Sequence, residues 1–216
     1  MKQSKESAPK WQELPEKAEA ILEGAMREFL AHGYAATSMD RVASAARVSK
    51  ATVYSYFRDK KSLFNALVKH LASERLQSIF SMPSAELLFE KPQTVLRRMA
   101  ISALDMAGKE GDLMPFMRLI VGESGRFPEL AQAYVNFIAK PIIENLSRYF
   151  ASRTELKLAD PEASARVFIG TIVYFIIVQE VLHGKKLMPM KRERLVNHLV
   201  ALITESDDES KSRARR

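Results

Sequence analysis

A chain of 216 residues, 47% of them apolar, has room for one sizeable domain or two small ones and is long enough to bury a core. It contains no cysteine, which excludes a disulfide framework and a thiolate metal site and fits a reducing compartment. A formal charge of +7 favours an anionic partner if the charge is gathered in a structured place, and the abundance of helix formers with scattered strand formers predicts an all-α fold of about nine helices.

Residues 1–14 lack an apolar run and read as a flexible tail, not a secretory signal. Lys2, Lys5 and Lys10 could reach a minor groove as a basic arm, although a solvated tail is the plainer expectation. The first helix carries Ile21, Leu22, Ala25, Met26, Phe29 and Leu30 on one face, and Gly33 can take the left-handed conformation that ends it. A second helix starts at Thr37, with Asp40 three residues on and Met39, Val42, Ala43 and Ala46 facing inward. Its pattern breaks at Arg47-Val48, and Ser49 offers a fresh N-cap.

In the short third helix, Val53 and Phe57 share the face that packs on the first two. Ala51, Ser55 and Arg58 point the opposite way, Thr52 and Tyr54 flank them, and Tyr56 lies nearer the core with its hydroxyl at the edge. Two short helices joined by a tight turn form a helix-turn-helix, whose second member can enter a major groove. Between Arg41 and Lys61 stand six basic residues and one acid, Asp59, which suits double-stranded DNA as the partner. Ala51 permits close approach to a thymine methyl and Lys50 could reach guanine acceptors, whereas Tyr54, Tyr56 and Lys60 are expected on the phosphate backbone. With Thr37, Arg47, Ser49, Thr52 and Ser55 they make the expected DNA-binding set.

Gly33-x-x-x-Thr37, Val42-Ala43, Ala46-x-Val48-Ser49, Thr52-Val53-Tyr54-x-Tyr56-Phe57 and Lys60-x-x-Leu63 together resemble the DNA-binding signature of the TetR family of transcriptional regulators. The likeness covers roughly Ile21 to Leu67. One position departs from the family's pattern: Arg47 stands where glycine is usual, so a non-glycine residue is expected at positive φ.

Asp59 caps a helix expected to run through Leu63, Phe64, Leu67, Val68 and Leu71 toward Phe80 and to belong to both halves of the chain. Pro92 opens another, with Val95, Leu96, Met99, Ala100, Ala103 and Leu104 inward, ending near Gly108. A short apolar helix covers about Asp112 to Gly122, and Pro128 begins a long one interrupted at Pro141, where a kink is expected. Asp160-Pro161-Glu162 is a start signal for a helix expected to reach His183, with Gly184 as its terminator, and a last helix spans about Pro189 to Thr204. Residues 206–216 read as a disordered tail.

The helix from Asp160 is apolar nearly all round between Val167 and Val178, too short a run for a membrane span, and is expected to be buried against a partner chain. The TetR resemblance implies a homodimer formed by the last two helices, and the segment from Met117 to Ile142 looks like the C-terminal domain of the AefR-like subgroup. Met106, Met117, Tyr134, Phe137, Phe168, Tyr174 and Phe175 are candidate linings of an apolar effector pocket, with plain core as the rival account. His70 and Glu74 could share a metal but lack a third ligand by spacing, and no nucleophile has a recognisable base beside it, so neither metal, cofactor nor catalysis is expected.

The resulting expectation is a cytoplasmic, nucleoid-associated, homodimeric repressor with a tail at 1–14, a DNA-binding head at 15–66 and an effector and dimer domain at 67–205, free of the membrane and released from DNA by an apolar or amphipathic small molecule. A nucleoid-bound adaptor that recruits a protein partner is the alternative.

Overall fold

The computed structural model describes residues 15–80, 89–109 and 111–205, and every regular element among them is helical. The chain divides into two compact units between Ser73 and Glu74, inside the helix that was expected to serve both halves.

The first unit holds α1 (Glu16–Ala36), α2 (Met39–Ala45), α3 (Lys50–Tyr56) and α4 (Lys60–Leu71). Helices α2 and α4 pack on α1, and α3 packs on α2. Ile21, Leu22, Ala25 and Phe29 of α1 are buried with Val42, Val53, Leu63, Phe64 and Val68. The rings of Phe29, Tyr34 and Phe64 meet pairwise at 5.5–5.6 Å between centroids, Phe29 stacked on Tyr34 and Phe64 edge-on to both, contacts that add to burial. Regular helical geometry breaks at Gly33, with φ 76° and ψ 169°, the role expected of that glycine. Gly24 serves a different purpose: a Cβ there would stand 2.9 Å from the Ala46 nitrogen, so its absence lets the turn after α2 lie on α1.

In the second unit, the π-helical turn Ala72–Leu76, which carries the boundary, leads into α5 (Gln77–Phe80). There follow α6 (Pro92–Gly108), α7 (Leu113–Glu123), α8 (Pro128–Tyr134), α9 (Lys140–Ser152), α10 (Pro161–Ile176) and α11 (Arg192–Thr204). Helix α10 packs on α6, α9 and α11, and α6 on α11, around Leu96, Ala100, Leu104, Leu146, Phe150, Phe168, Ile172, Val196 and Val200. Asp160 caps α10 as expected, its carboxylate accepting from the Ala163 N–H at 2.9 Å.

The break expected at Pro141 takes the form of a π-helical turn, Val135–Ala139, between α8 and α9. Proline has no N–H and its ring crowds the carbonyl four residues back, so the ladder lengthens by one residue, and the Lys140 N–H donates to the Val135 carbonyl. A second π-turn, Ile177–Val181, extends α10. The helical run thus ends at Val181, short of the expected His183, and the left-handed residue that follows is His183, φ 56°. Gly184 is required for space instead, since a Cβ would meet the Val178 carbonyl oxygen at 2.6 Å. The last helix starts at Arg192, three residues later than the Pro189 of the sequence pattern, because Lys191 remains extended at ψ 131°.

Candidate nucleic-acid interface

Helix α3 is only seven residues long, so its caps and its packing must hold it. The Ser49 hydroxyl accepts from the Thr52 N–H at 3.0 Å and lies 2.8 Å from the Thr52 hydroxyl. Val53 is wholly buried and Phe57 nearly so, and burying a side chain such as Val53 contributes about 1.5–3 kcal/mol. With that face anchored, Ala51, Tyr54, Ser55, Tyr56 and Arg58 all reach solvent. The Ser55 hydroxyl donates to the Thr52 carbonyl at 2.7 Å, which keeps it close to the helix surface.

The turn before α3 closes in a defined way. The Arg47 N–H donates to the Ser44 carbonyl at 3.1 Å and the Val48 N–H to the Ala43 carbonyl at 3.0 Å. This pair of bonds is the Schellman arrangement, which needs a left-handed residue just past the helix end. Arg47 supplies it, with φ 54°, as the sequence leads one to expect where glycine is missing. Its side chain is exposed beside the start of α3.

Lys50 is exposed but engaged: its ammonium lies 2.8 and 2.9 Å from the two carboxylate oxygens of Asp40 on α2. The Asp40 hydrogen bond and charge hold the Lys50 pKa above the usual lysine range. Arg58 extends almost fully into solvent, with its side chain 93% exposed.

Two residues of the expected set point elsewhere. Thr37 is buried, its hydroxyl donating to the Gly33 carbonyl at 2.8 Å and set 3.1 Å from that of Glu28, so it braces the end of α1 and is not at the surface. Lys60, expected on phosphate, directs its ammonium inward to the carbonyls of Tyr34, Thr37 and Ala35 at 2.7, 2.9 and 3.1 Å. It also lies 4.5 Å from the centre of the Tyr34 ring. The carbonyls freed by the break at Gly33 account for this: they need donors, and a lysine at the start of α4 provides three. Asp59 caps α4 reciprocally with Ser62, accepting from the Ser62 N–H at 2.7 Å, and that bond, with Arg58 and Lys61 nearby, holds its carboxyl below the usual range.

The expected effector residues differ in how far they are buried. Phe168 is core, edge-on to Phe150 at 6.4 Å, and Phe175 is 7% exposed. Tyr174, by contrast, is 61% exposed on the outward side of α10, which corrects its placement inside a pocket. Met106, Met117, Tyr134 and Phe137 are half-buried, and burial pushes the Tyr134 phenol above its ordinary value. Gln179 is buried, and its amide donates to the Met188 carbonyl at 2.7 Å.

Residues 21–67 match the family model of bacterial regulatory proteins of the tetR family, and residues 86–205 match that of the AefR-like transcriptional repressor C-terminal domain. The HTH-type transcriptional regulator YvkB of Bacillus subtilis (strain 168) is 24% identical over 190 residues, 85% of this chain and 93% of that protein. YhgD of the same organism, another HTH-type regulator, is 44% identical over 57 residues, 26% of this chain and 30% of its own length. Among solved structures, the flavonoid-responsive regulator FrrA superposes with a TM-score of 0.71 at 28% identity, covering 87% of this chain and 94% of that one.

Proposed function

The chain belongs to the TetR family of bacterial transcriptional regulators, and from that premise we propose that it is a repressor that binds a pseudo-palindromic operator as a homodimer and leaves it when a small effector binds. Its relatives are DNA-binding regulators and not enzymes. The division of labour we infer is a head at residues 15–66 and an effector and dimer domain at 67–205.

One observation carries the DNA-binding reading: Val53 and Phe57 are buried while Ala51, Ser55 and Arg58 face solvent between exposed Tyr54 and Tyr56. The small side chains allow the helix to approach base edges, and the tyrosine hydroxyls and Arg47 are suited to phosphate oxygens on either side. Lys50 must exchange Asp40 for DNA to take part. Because an exposed pair of this kind is weak, the exchange is cheap.

Dimerisation is supported by the outward face of α10 and its π-turn, where Ala163, Val167, Gly170, Tyr174 and Ile177 recur at spacings of four and three and are all exposed. The helical stretch Pro161–Val181 has a mean hydropathy of 1.5 and only 28% of that apolar window is buried within the chain, so a second copy has a large apolar face to cover. FrrA responds to flavonoids, and a largely apolar effector is in keeping with the half-buried Met106, Met117, Tyr134 and Phe137. To release DNA the effector must prefer the unbound form, and each tenfold preference corresponds to about 1.4 kcal/mol.

Selection of bound sequences from random DNA by the purified full chain tests this function. We expect an inverted repeat whose half-sites lie about one helical turn or more apart, and a genome holding that repeat upstream of few genes. Scattered sites without a shared repeat would favour the nucleoid adaptor instead.

A further inference from the structure

The second unit has a cleft of about 530 Å³, a volume typical of small-molecule sites, and none of the expected DNA-binding residues lines it. One wall is the end of α10 and its π-turn, where Phe175, Gln179 and Glu180 stand. The other is the approach to α11 and its first turn, with Lys185, Met190, Lys191, Arg192 and Arg194. Four cations thus share the cleft with a single carboxylate.

The four cations are not equivalent. Lys185 and Arg192 are neutralised, since Glu180 lies 2.7 Å from the Lys185 ammonium and 3.4 Å from the Arg192 guanidinium, which also meets Asp105 at 3.1 Å. Lys191 and Arg194 line the same cleft, are exposed, and form no ion pair or hydrogen bond through their side chains among the described residues. Three positions apart at the start of α11, they lie on neighbouring parts of its surface. The N-terminus of α11 adds to the positive field, because Lys191 gives it no side-chain cap and its first-turn N–H groups remain available.

Beside these charges the cleft is apolar. Phe175 presents an edge of the core, and Met190, 41% exposed, offers a polarisable thioether that suits an aromatic ring. Buried Gln179 is held by its bond to the Met188 carbonyl, which fixes the wall beside Met190.

We propose that this cleft binds an aromatic organic anion, with its carboxylate or phosphate between Lys191 and Arg194 and its ring against Phe175 and Met190. That such an anion acts as the effector rests on the function proposed above; that it binds does not.

The test is titration of the full chain, without DNA, by 2-naphthoate, 2-naphthyl phosphate and neutral 2-naphthol, read by calorimetry and naphthalene fluorescence. At least one anion should bind about tenfold or more tightly than the naphthol, since two unneutralised charges discriminate against a neutral group. The double variant Lys191→Gln/Arg194→Gln should lose most of that preference, keep its affinity for naphthol and keep its melting temperature, because neither side chain has an internal partner. Tighter binding by the carboxylate or by the phosphate identifies which anion the site takes. Equal binding of all three probes, no binding of either anion, or an unaltered preference in the double variant would overturn the proposal. An anion that binds with the expected charge dependence but leaves operator affinity unchanged upholds the site and removes its regulatory role.

Discussion

The Lys60 ammonium donates to the Tyr34 carbonyl at 2.7 Å and rests 4.5 Å from the centre of the ring of that same residue. Lysine and tyrosine together close the end of α1 against the start of α4, and the basic charge there is spent inside the protein.

Lys60→Met should therefore destabilise the first unit by about 1–3 kcal/mol, the cost of leaving partly buried carbonyls without their donor. Thermal unfolding followed by circular dichroism measures this. The slope of DNA affinity against salt, taken well below the melting temperature, should stay the same, whereas a slope reduced by about one at unchanged stability would put Lys60 on a phosphate after all.

Arg47 predicts a separable effect. Arg47→Gly relieves a left-handed residue but frees the unfolded chain, so stability should stay level or rise by up to about 1 kcal/mol. Arg47→Val should lose about 1 kcal/mol or more, since a β-branched side chain tolerates positive φ poorly. Both variants remove one cation beside α3 and should lower the salt slope by roughly 0.9. Denaturation and binding isotherms on the three proteins separate the two consequences.

These cases show which features can be read from the chain alone. Caps, breaks and anchors are local: Ser49 and Asp160 as N-caps, Gly33 as a break, and Val53 and Phe57 as the buried pair follow from residue type and spacing of a few positions, whereas the positive φ of Arg47 is legible only through the family resemblance, which puts glycine there. The destination of Lys60 is not local, because Tyr34, 26 positions earlier, receives it only after α4 packs on α1. Helix α10 is illegible for another reason. Its composition is apolar on nearly every side, so periodicity gives no phase, and Phe175 turns inward while its neighbour Tyr174 turns out. Pairing of Lys50 with Asp40 likewise depends on how α2 and α3 are set together.

Asp40→Asn should leave stability within error, the pair being exposed, and should strengthen binding to unrelated DNA about threefold to tenfold by removing a carboxylate close to phosphates. Because non-specific binding gains more than specific binding, discrimination between operator and random DNA should narrow. Anisotropy titrations on both DNAs at one salt concentration measure the ratio, and a ratio equal to that of the unaltered chain would remove Asp40 from recognition.

Asp59 ties stability to acidity. Its carboxyl is lowered in the folded state, so the stability it contributes is present above the ordinary carboxylate value near 3.9 and is lost as pH falls through the folded value. Asp59→Ala should cost about 0.5–2 kcal/mol at neutral pH, the usual worth of an N-cap. Denaturation at a series of pH values should show that difference shrinking on the acid side, whereas a constant difference would mean the charge of the cap is irrelevant.

Val167→Glu together with Tyr174→Glu places two charges on the outward face of α10 without touching buried Phe168 or Phe175. Sedimentation should then report a folded monomer with unchanged helix content, and operator affinity should fall by on the order of a hundredfold or more as the second head is lost. A variant that still dimerises places the interface elsewhere.

Because the chain has no cysteine, Ser55→Cys creates a single attachment point on the outward face of α3 for a tethered iron–EDTA cleavage probe. On the selected operator the probe should cut at two clusters related by the dyad, each centred on the major groove of one half-site. Cutting at a single cluster, or no cutting above that of free probe, would contradict entry of α3 into the DNA.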